Sequence, residues 1–248
     1  MRKIYSCLLL TTFIFLGSGA AAQDLNLNNY GAATFSNLTK AAGQILGSGL
    51  YHTAAIHRFG GVDLGLKSML GYIPKKNQLG PLDGTKAVII PVFQANVGLF
   101  GRFEVGGRLF SFRFGDENKE KVELTSGLVK FSVLRGIGLP DVTIFSAYSR
   151  ITGISDFSLS AITVGGIVGK SIPVITVYAG ANYNIIKMDV DLAPDAHYPE
   201  GFSESYKENV PHFAFGISLG LTPFTKMNVE YNIGEFQTAT FGIVLSIF

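Results

Sequence analysis

The chain has 248 residues, 47% hydrophobic and 15% charged, with 20 Lys and Arg against 18 Asp and Glu. Its mean hydropathy is +0.32, yet beyond the N-terminal segment no apolar run reaches the roughly 18 residues of a membrane-spanning helix, which excludes a helical membrane protein. The near balance of charge excludes a basic field for nucleic acid or another polyanion, and a single cysteine excludes a disulfide framework.

The first residues read as an export signal. Met1, Arg2 and Lys3 form a positive start, Ile4 to Leu16 is apolar, and Ala20-Ala21-Ala22 before Gln23 has the small-x-small form of a cleavage site. Residues 1–22 are therefore expected to be removed, taking with them Arg2, Lys3 and Cys7. Cys7 precedes the apolar run, so a lipid-modified N-terminus is not expected.

Residues 23–49 form a helical segment in this reading. Tyr30, Phe35, Leu38, Ala42, Ile45 and Leu46 recur near helical spacing, with Asn37, Lys40 and Gln44 between them. Asn28 or Asn29 could cap the start, and Gly47 and Gly49 could end it, which gives a helix over 28–46.

After that the period changes to two, and residues 50–248 read as antiparallel strands. A strand near 50–58 comes first. Val62, Leu64, Leu66, Leu70 and Tyr72 then oppose Asp63, Gly65, Lys67 and Gly71. Less regular strands lie near 87–100, 103–114, 121–134, 141–151 and 156–169. In 103–114, Phe110, Phe112 and Phe114 share the parity of Glu104 and Arg108, so Gly106-Gly107 is expected to carry a bulge that swaps faces. Ile175, Val177, Ala179, Tyr183 and Ile185 oppose Thr176, Gly180, Asn182 and Asn184. Phe213, Phe215, Ile217, Leu219 and Leu221 oppose His212, Ala214, Gly216, Ser218 and Gly220. Met227, Val229, Tyr231 and Ile233 oppose Lys226, Asn228, Glu230 and Asn232.

The chain closes on TATFGIVLSIF, with Phe241, Ile243, Leu245 and Ile247 on one apolar stripe and Phe248 out of phase. This reads as a C-terminal insertion signal for barrel assembly machinery. A twist or bulge should then turn Phe248 outward to the membrane interface.

The expected fold is an all-β antiparallel transmembrane barrel of 10–12 strands with a short N-terminal helix. Eleven strands are counted, whereas a single-chain bacterial barrel has an even number. Dropping 50–58 gives ten and a hidden strand gives twelve, with twelve slightly preferred. A β-sandwich, the rival architecture, would show more Lys and Glu on its outer faces. The long or charged links at 74–86, 115–120 and 189–210 all fall at one end, as external loops should. The absence of Trp leaves Tyr and 20 Phe to form the interface belts.

A charged side chain facing lipid near the midplane costs about 2–4 kcal/mol, so the strand polar residues are expected to face the lumen. The candidates are Asp63, Lys67, Glu104, Arg108, Lys130, Arg150, Asn182, Asn184, Asn228, Glu230 and Asn232. They either line a pore or pair with each other and fill a narrow barrel. Their mixed signs indicate no ion-selective ring.

Catalysis is not expected. No His has a Ser two residues after it, the pairing used by outer-membrane lipid hydrolases. His52 and His57, five apart on the expected strand, fall on opposite faces, which disfavours a shared metal. His197 lies in the acidic 189–210 loop, whose carboxylates lack calcium-loop spacing, and His212 reads as lumen-facing. No metal or cofactor is expected.

The stretch AGQILGSGLYHTAAIHRFGGVDLGLKSMLGYIP, residues 42–74, resembles an uncharacterised family of bacterial outer-membrane barrel proteins with an N-terminal helix, and IIPVFQANVGLFGRFEVGGRLF, residues 89–110, is similar to the same family. The resemblance implies fold and location, with no activity. A helix ahead of a barrel is also loosely similar to the outer-membrane transporters of hydrophobic compounds, whose N-terminal segment plugs the lumen. The expected role is passive passage or binding of a small solute, hydrophobic or otherwise, with residues 28–46 as plug. The alternative is a closed structural barrel acting through its external loops. Outer-membrane lipid and the assembly machinery are the expected partners, and no nucleic acid is.

Overall fold

The computed structural model describes residues 32–74, 86–114, 120–136, 138–153, 156–194 and 199–247. The expected signal peptide, the N-caps Asn28 and Asn29, His197 and Phe248 lie outside these residues.

The described residues fold as one helix, α1 (Ala32–Gly47), followed by ten strands. These are β1 (Val62–Tyr72), β2 (Ala87–Gly98), β3 (Phe103–Phe114), β4 (Glu120–Leu134), β5 (Asp141–Thr152), β6 (Phe157–Ser171), β7 (Ile175–Leu192), β8 (Phe202–Gly220), β9 (Thr225–Ile233) and β10 (Gln237–Ile247). They pair in chain order as antiparallel neighbours, and β10 closes the barrel against β1 from Val62↔Ile247 to Tyr72↔Gln237. Closure removes the edge strands that an open sheet would expose to lipid.

The count is ten, not the preferred twelve, because residues 50–58 form no strand. They continue the chain from α1 down the inside of the barrel. The bulge expected at Gly106-Gly107 is also absent: the β2–β3 and β3–β4 registers run through it without a break. The register shift in this region lies between Ser132 and Leu134 of β4.

What had suggested the bulge has a different cause. The two faces of the wall exchange polarity partway up the barrel. On β7, Ile175, Val177, Tyr183 and Ile185 face outward and Asn182 and Asn184 inward, whereas further along Lys187 and Asp189 face outward and Ile186, Met188, Val190 and Leu192 inward. On β8, Tyr206 and Val210 face inward above His212 and Ser218, and Phe213, Phe215 and Ile217 face outward. Phe110 follows the same rule and packs inward. The upper tier has water outside and a helix inside, while the lower tier has lipid outside. Each face adopts the polarity of what it meets.

The cross-strand register marks the boundary between tiers. Thr125, Arg150, Ser160, Lys187 and Lys207 form one outward row across β4 to β8. Below it the outer face is apolar. Outward-exposed Phe241, Ile243, Leu245 and Ile247 on β10 belong to this apolar band. Strands of 18 and 19 residues, β7 and β8, exceed the roughly 9–11 that cross a bilayer. They rise above the row as a collar, so much of the expected 189–210 loop is strand. Exposed Phe59, Phe100 and Phe224 gather at the opposite end, a Phe-based substitute for the missing Trp.

The helix is packed to close tolerance. A Cβ at Gly43 would overlap the side chain of Ile186 on the wall. Gly43→Leu is therefore expected to destabilise the barrel by about 1–3 kcal/mol through overpacking. Its urea midpoint in detergent should fall, while Gly43→Ala combined with Ile186→Val should recover most of the loss. An unchanged midpoint for Gly43→Leu would mean that the helix is not held at this depth.

Candidate functional site

The lumen holds the greatest concentration of buried polar chemistry among the described residues. Its upper part is apolar. Phe35, Ile45 and Leu46 of α1 pack among Met69, Val92, Leu124, Leu159, Ile186, Met188, Val190 and Tyr206 of the wall. A helix satisfies its own backbone hydrogen bonds, so an apolar sleeve suffices to hold it.

Below Gly47 the helix ends, and Gly49 takes a left-handed turn at φ 63°. From here to Gly61 the chain is irregular, and its backbone groups have no regular ladder of their own. The lumen wall supplies their partners. Arg108 on β3 donates to the carbonyls of Leu46 (2.5 Å) and Ser48 (2.8 Å), capping the helix C-terminus with a cation. Lys67 on β1 donates to Gly49 O (2.8 Å), and Glu230 on β9 accepts from Gly49 N (2.9 Å). Further down, Gln94 donates to Leu50 O, Ser218 to His52 O and Thr143 to Ala54 O, at 2.9, 2.6 and 2.6 Å. Asn184 reaches up to Gly43 O at 3.0 Å.

At the lower end, plug and wall share an ionic cluster. His57 presents Nδ1 to Glu104 at 2.7 Å and Nε2 to Asp63 at 3.0 Å, the pattern of an imidazolium donating from both nitrogens. His52 Nε2 lies 2.7 Å from the other oxygen of Asp63, and Lys130 pairs with Glu104 at 2.7 Å. Tyr51, midway, packs edge-on against Phe145 and Tyr178 and accepts from Asn182 Nδ2 at 3.0 Å.

Ten of the eleven sequence-derived lumen candidates face inward, and Asp63, Lys67, Glu104, Arg108, Lys130, Asn184, Asn228, Glu230 and Asn232 are each at most 2% exposed. Asn182 is 5% exposed and bonds His212 Nε2 at 2.9 Å. Arg150 is the exception. It is exposed on the outer face, because β5 turns Thr143, Phe145, Ala147 and Ser149 inward. The premise that a charged strand residue must avoid lipid does not apply to it, since it lies in the polar row at the upper edge of the apolar band.

Sequence reasoning missed much of the plug's grip. Gln44, read as part of a polar face, is buried and clamps both backbone groups of Phe236 in the β9–β10 link. His52 and His57 do not sit on opposite faces of a strand: the irregular chain lets both reach Asp63. Gln94 and Asn96 of β2 are buried and share a parity that could have placed them in the lumen. Among the described residues no group of three or more His, Cys, Asp or Glu has the geometry of a metal site.

These features define a class: a ten-stranded β-barrel of the bacterial outer-membrane type, filled by its own N-terminal helix and the chain that follows it. Over residues 79–247 the sequence matches the model of a family of unknown function, DUF6588, and the chain belongs to that family. No curated protein matches it in sequence. Among solved structures it is similar to the translocator domain of the autotransporter NalP from Neisseria meningitidis, at 11% identity and TM-score 0.56, over 88% of this chain and 100% of that one. It is also similar to the outer membrane protease OmpT from Escherichia coli, at 9% identity and TM-score 0.41, over 78% and 98% of the two chains. For the N-terminal β-barrel domain of Pseudomonas aeruginosa OprF the values are 9% and 0.34, over 77% and 100%.

Proposed function

We propose that the protein resides in the bacterial outer membrane as a closed barrel, exported by a cleaved signal peptide, and acts through its external face. One observation carries this reading. Asp63, Lys67, Glu104, Arg108, Lys130, Asn184, Asn228 and Glu230 are at most 2% exposed at mid-barrel, and Lys67, Arg108 and Glu230 are bonded to the plug backbone. The β7–β8 collar, with Asp189 and Glu204 on it above the Lys187 and Lys207 pair, is then the surface offered to the outside. Lipid surrounds the apolar band. The outward stripe Phe241, Ile243, Leu245 and Ile247 serves as the insertion signal for assembly machinery. His52, His57 and His212 are occupied in holding the lumen together, which supports a non-catalytic role.

In planar bilayers the full-length protein should give no stable unitary conductance. Porin-like steps from pure protein would overturn the closed reading.

Gated passage of a small solute is the second reading. It is favoured by the plug being held through side-chain hydrogen bonds, which water can replace once the plug moves. The wall left behind would be polar and wettable.

A further inference from the structure

The plug runs through the barrel in one direction, and that direction can be read along a single strand. On β8, Phe35 stacks with Phe202 at 5.9 Å and packs against Tyr206 at 5.4 Å. Ser36 donates to Glu208 at 2.5 Å, and His52 O accepts from Ser218 at 2.6 Å. The plug thus descends β8 from its first residues toward its last. The other walls agree: Thr39 meets Met188 and Gly43 meets Asn184 on β7, while Ala54 reaches Thr143 at the start of β5. At the bottom Gly60 N donates to Gly98 O, and Gly98 N donates to Gly61 O, before the chain turns up into β1.

The start of α1 therefore lies in the collar, at the end with the longest strands and the 193–201 link. The end of the plug lies with the links at 99–102, 172–174 and 221–224 and with the C-terminus of β10. By the usual asymmetry of bacterial barrels, the collar end is external and the other periplasmic. The route back is blocked. Around the middle of the plug, Asp63, Lys67, Arg108, Lys130, Asn184, Asn228 and Glu230 show at most 2% exposure, so no second pass of polypeptide fits beside the first.

We propose that the barrel carries its own N-terminal segment to the cell surface: chain joined ahead of Ala32 leaves by the external mouth and stays there. The mouth itself is dressed for water, with Lys40 between Glu208 (3.9 Å) and Glu235 (3.4 Å). The plug is then a transit segment left in the lumen rather than a periplasmic cork. This does not depend on whether the lumen conducts.

The test uses the full chain in intact cells. An epitope inserted between Asn29 and Tyr30 is compared with the same epitope in the 193–201 link and in the 221–224 turn. Antibody should bind the first two on intact cells and the third only after the outer membrane is permeabilised. As an insertion-free check, Lys40→Cys should react on intact cells with a membrane-impermeant maleimide, since Cys7 is the one native cysteine. If the 29/30 epitope and Lys40→Cys are reached only after permeabilisation while the 193–201 epitope is surface-exposed, the proposal fails. It fails equally if the 221–224 epitope is the one found outside.

Discussion

Removing residues 32–57 is expected to turn a silent barrel into a conducting one. These residues occupy the lumen from the collar to the ionic cluster, and the wall around their lower half is polar. With the plug gone, Asp63, Lys67, Glu104, Arg108, Lys130 and Glu230 lose their backbone partners or neighbours there and become available to water. Burying those charges without partners would be costly, so the lumen should hydrate rather than collapse. Planar-bilayer recordings should show unitary steps for the deletion and none for the intact chain. The deleted barrel must first be shown to fold, by heat-modifiable migration in SDS. If it folds and remains silent, the wall side chains themselves close the lumen and the plug is not the barrier. Deleting only 32–47 should be less effective, because residues 48–57 make the hydrogen bonds in the membrane-level tier.

The second large effect is expected at Glu104. Its side chain is fully buried on β3, accepts from Lys130 on the neighbouring strand, and receives both Nδ1 and the backbone N of His57 from the plug. Glu104→Ala would leave Lys130 buried without its partner and free the lower end of the plug at once. Removing one member of a buried pair costs about 3–5 kcal/mol. The urea midpoint of the folded barrel in detergent should drop accordingly. Glu104→Gln keeps an acceptor and should cost less, and Glu104→Met with Lys130→Met should recover part of the loss by removing both charges. A Glu104→Ala barrel within about 1 kcal/mol of wild type would show that water enters the cluster and solvates Lys130 in place of the carboxylate.

How far the lumen could be read from residue order differs from tier to tier. Within the lipid-level tier the alternation is faithful: Asn182 and Asn184, or Asn228, Glu230 and Asn232, fall inward because lipid forces apolar residues to the other face. Above the row of Thr125, Arg150, Ser160, Lys187 and Lys207 the same alternation continues with its meaning reversed. That reversal made Arg150 look lumen-facing, made Phe110 and Phe112 look like evidence for a bulge, and made 189–210 look like a loop. Ile185-Ile186, adjacent apolar residues at the crossover on β7, are the local mark of the change. The 50–58 segment misled for another reason. In it, Leu50, Tyr51, Ala54 and Ile56 are buried together with His52, Thr53 and His57 because both kinds of side chain meet the wall, not because a sheet has two faces.

Local order along the chain was enough to determine that this is an antiparallel barrel with an N-terminal helix, which residues face lipid at membrane depth, and that β10 carries an apolar outward stripe. Those properties follow from a period of two or 3.6 set against lipid and water, and such a period is written in neighbouring residues. Only the tertiary structure decided that there are ten strands, that the plug packs inside the barrel, and that it descends from the collar. Each depends on contacts between residues far apart in sequence: Phe35 with Phe202, Arg108 with Leu46, His57 with Glu104. A buried charge looks the same in sequence whether it lines a water-filled pore or bonds a plug. The distinction lies in what occupies the space in front of it.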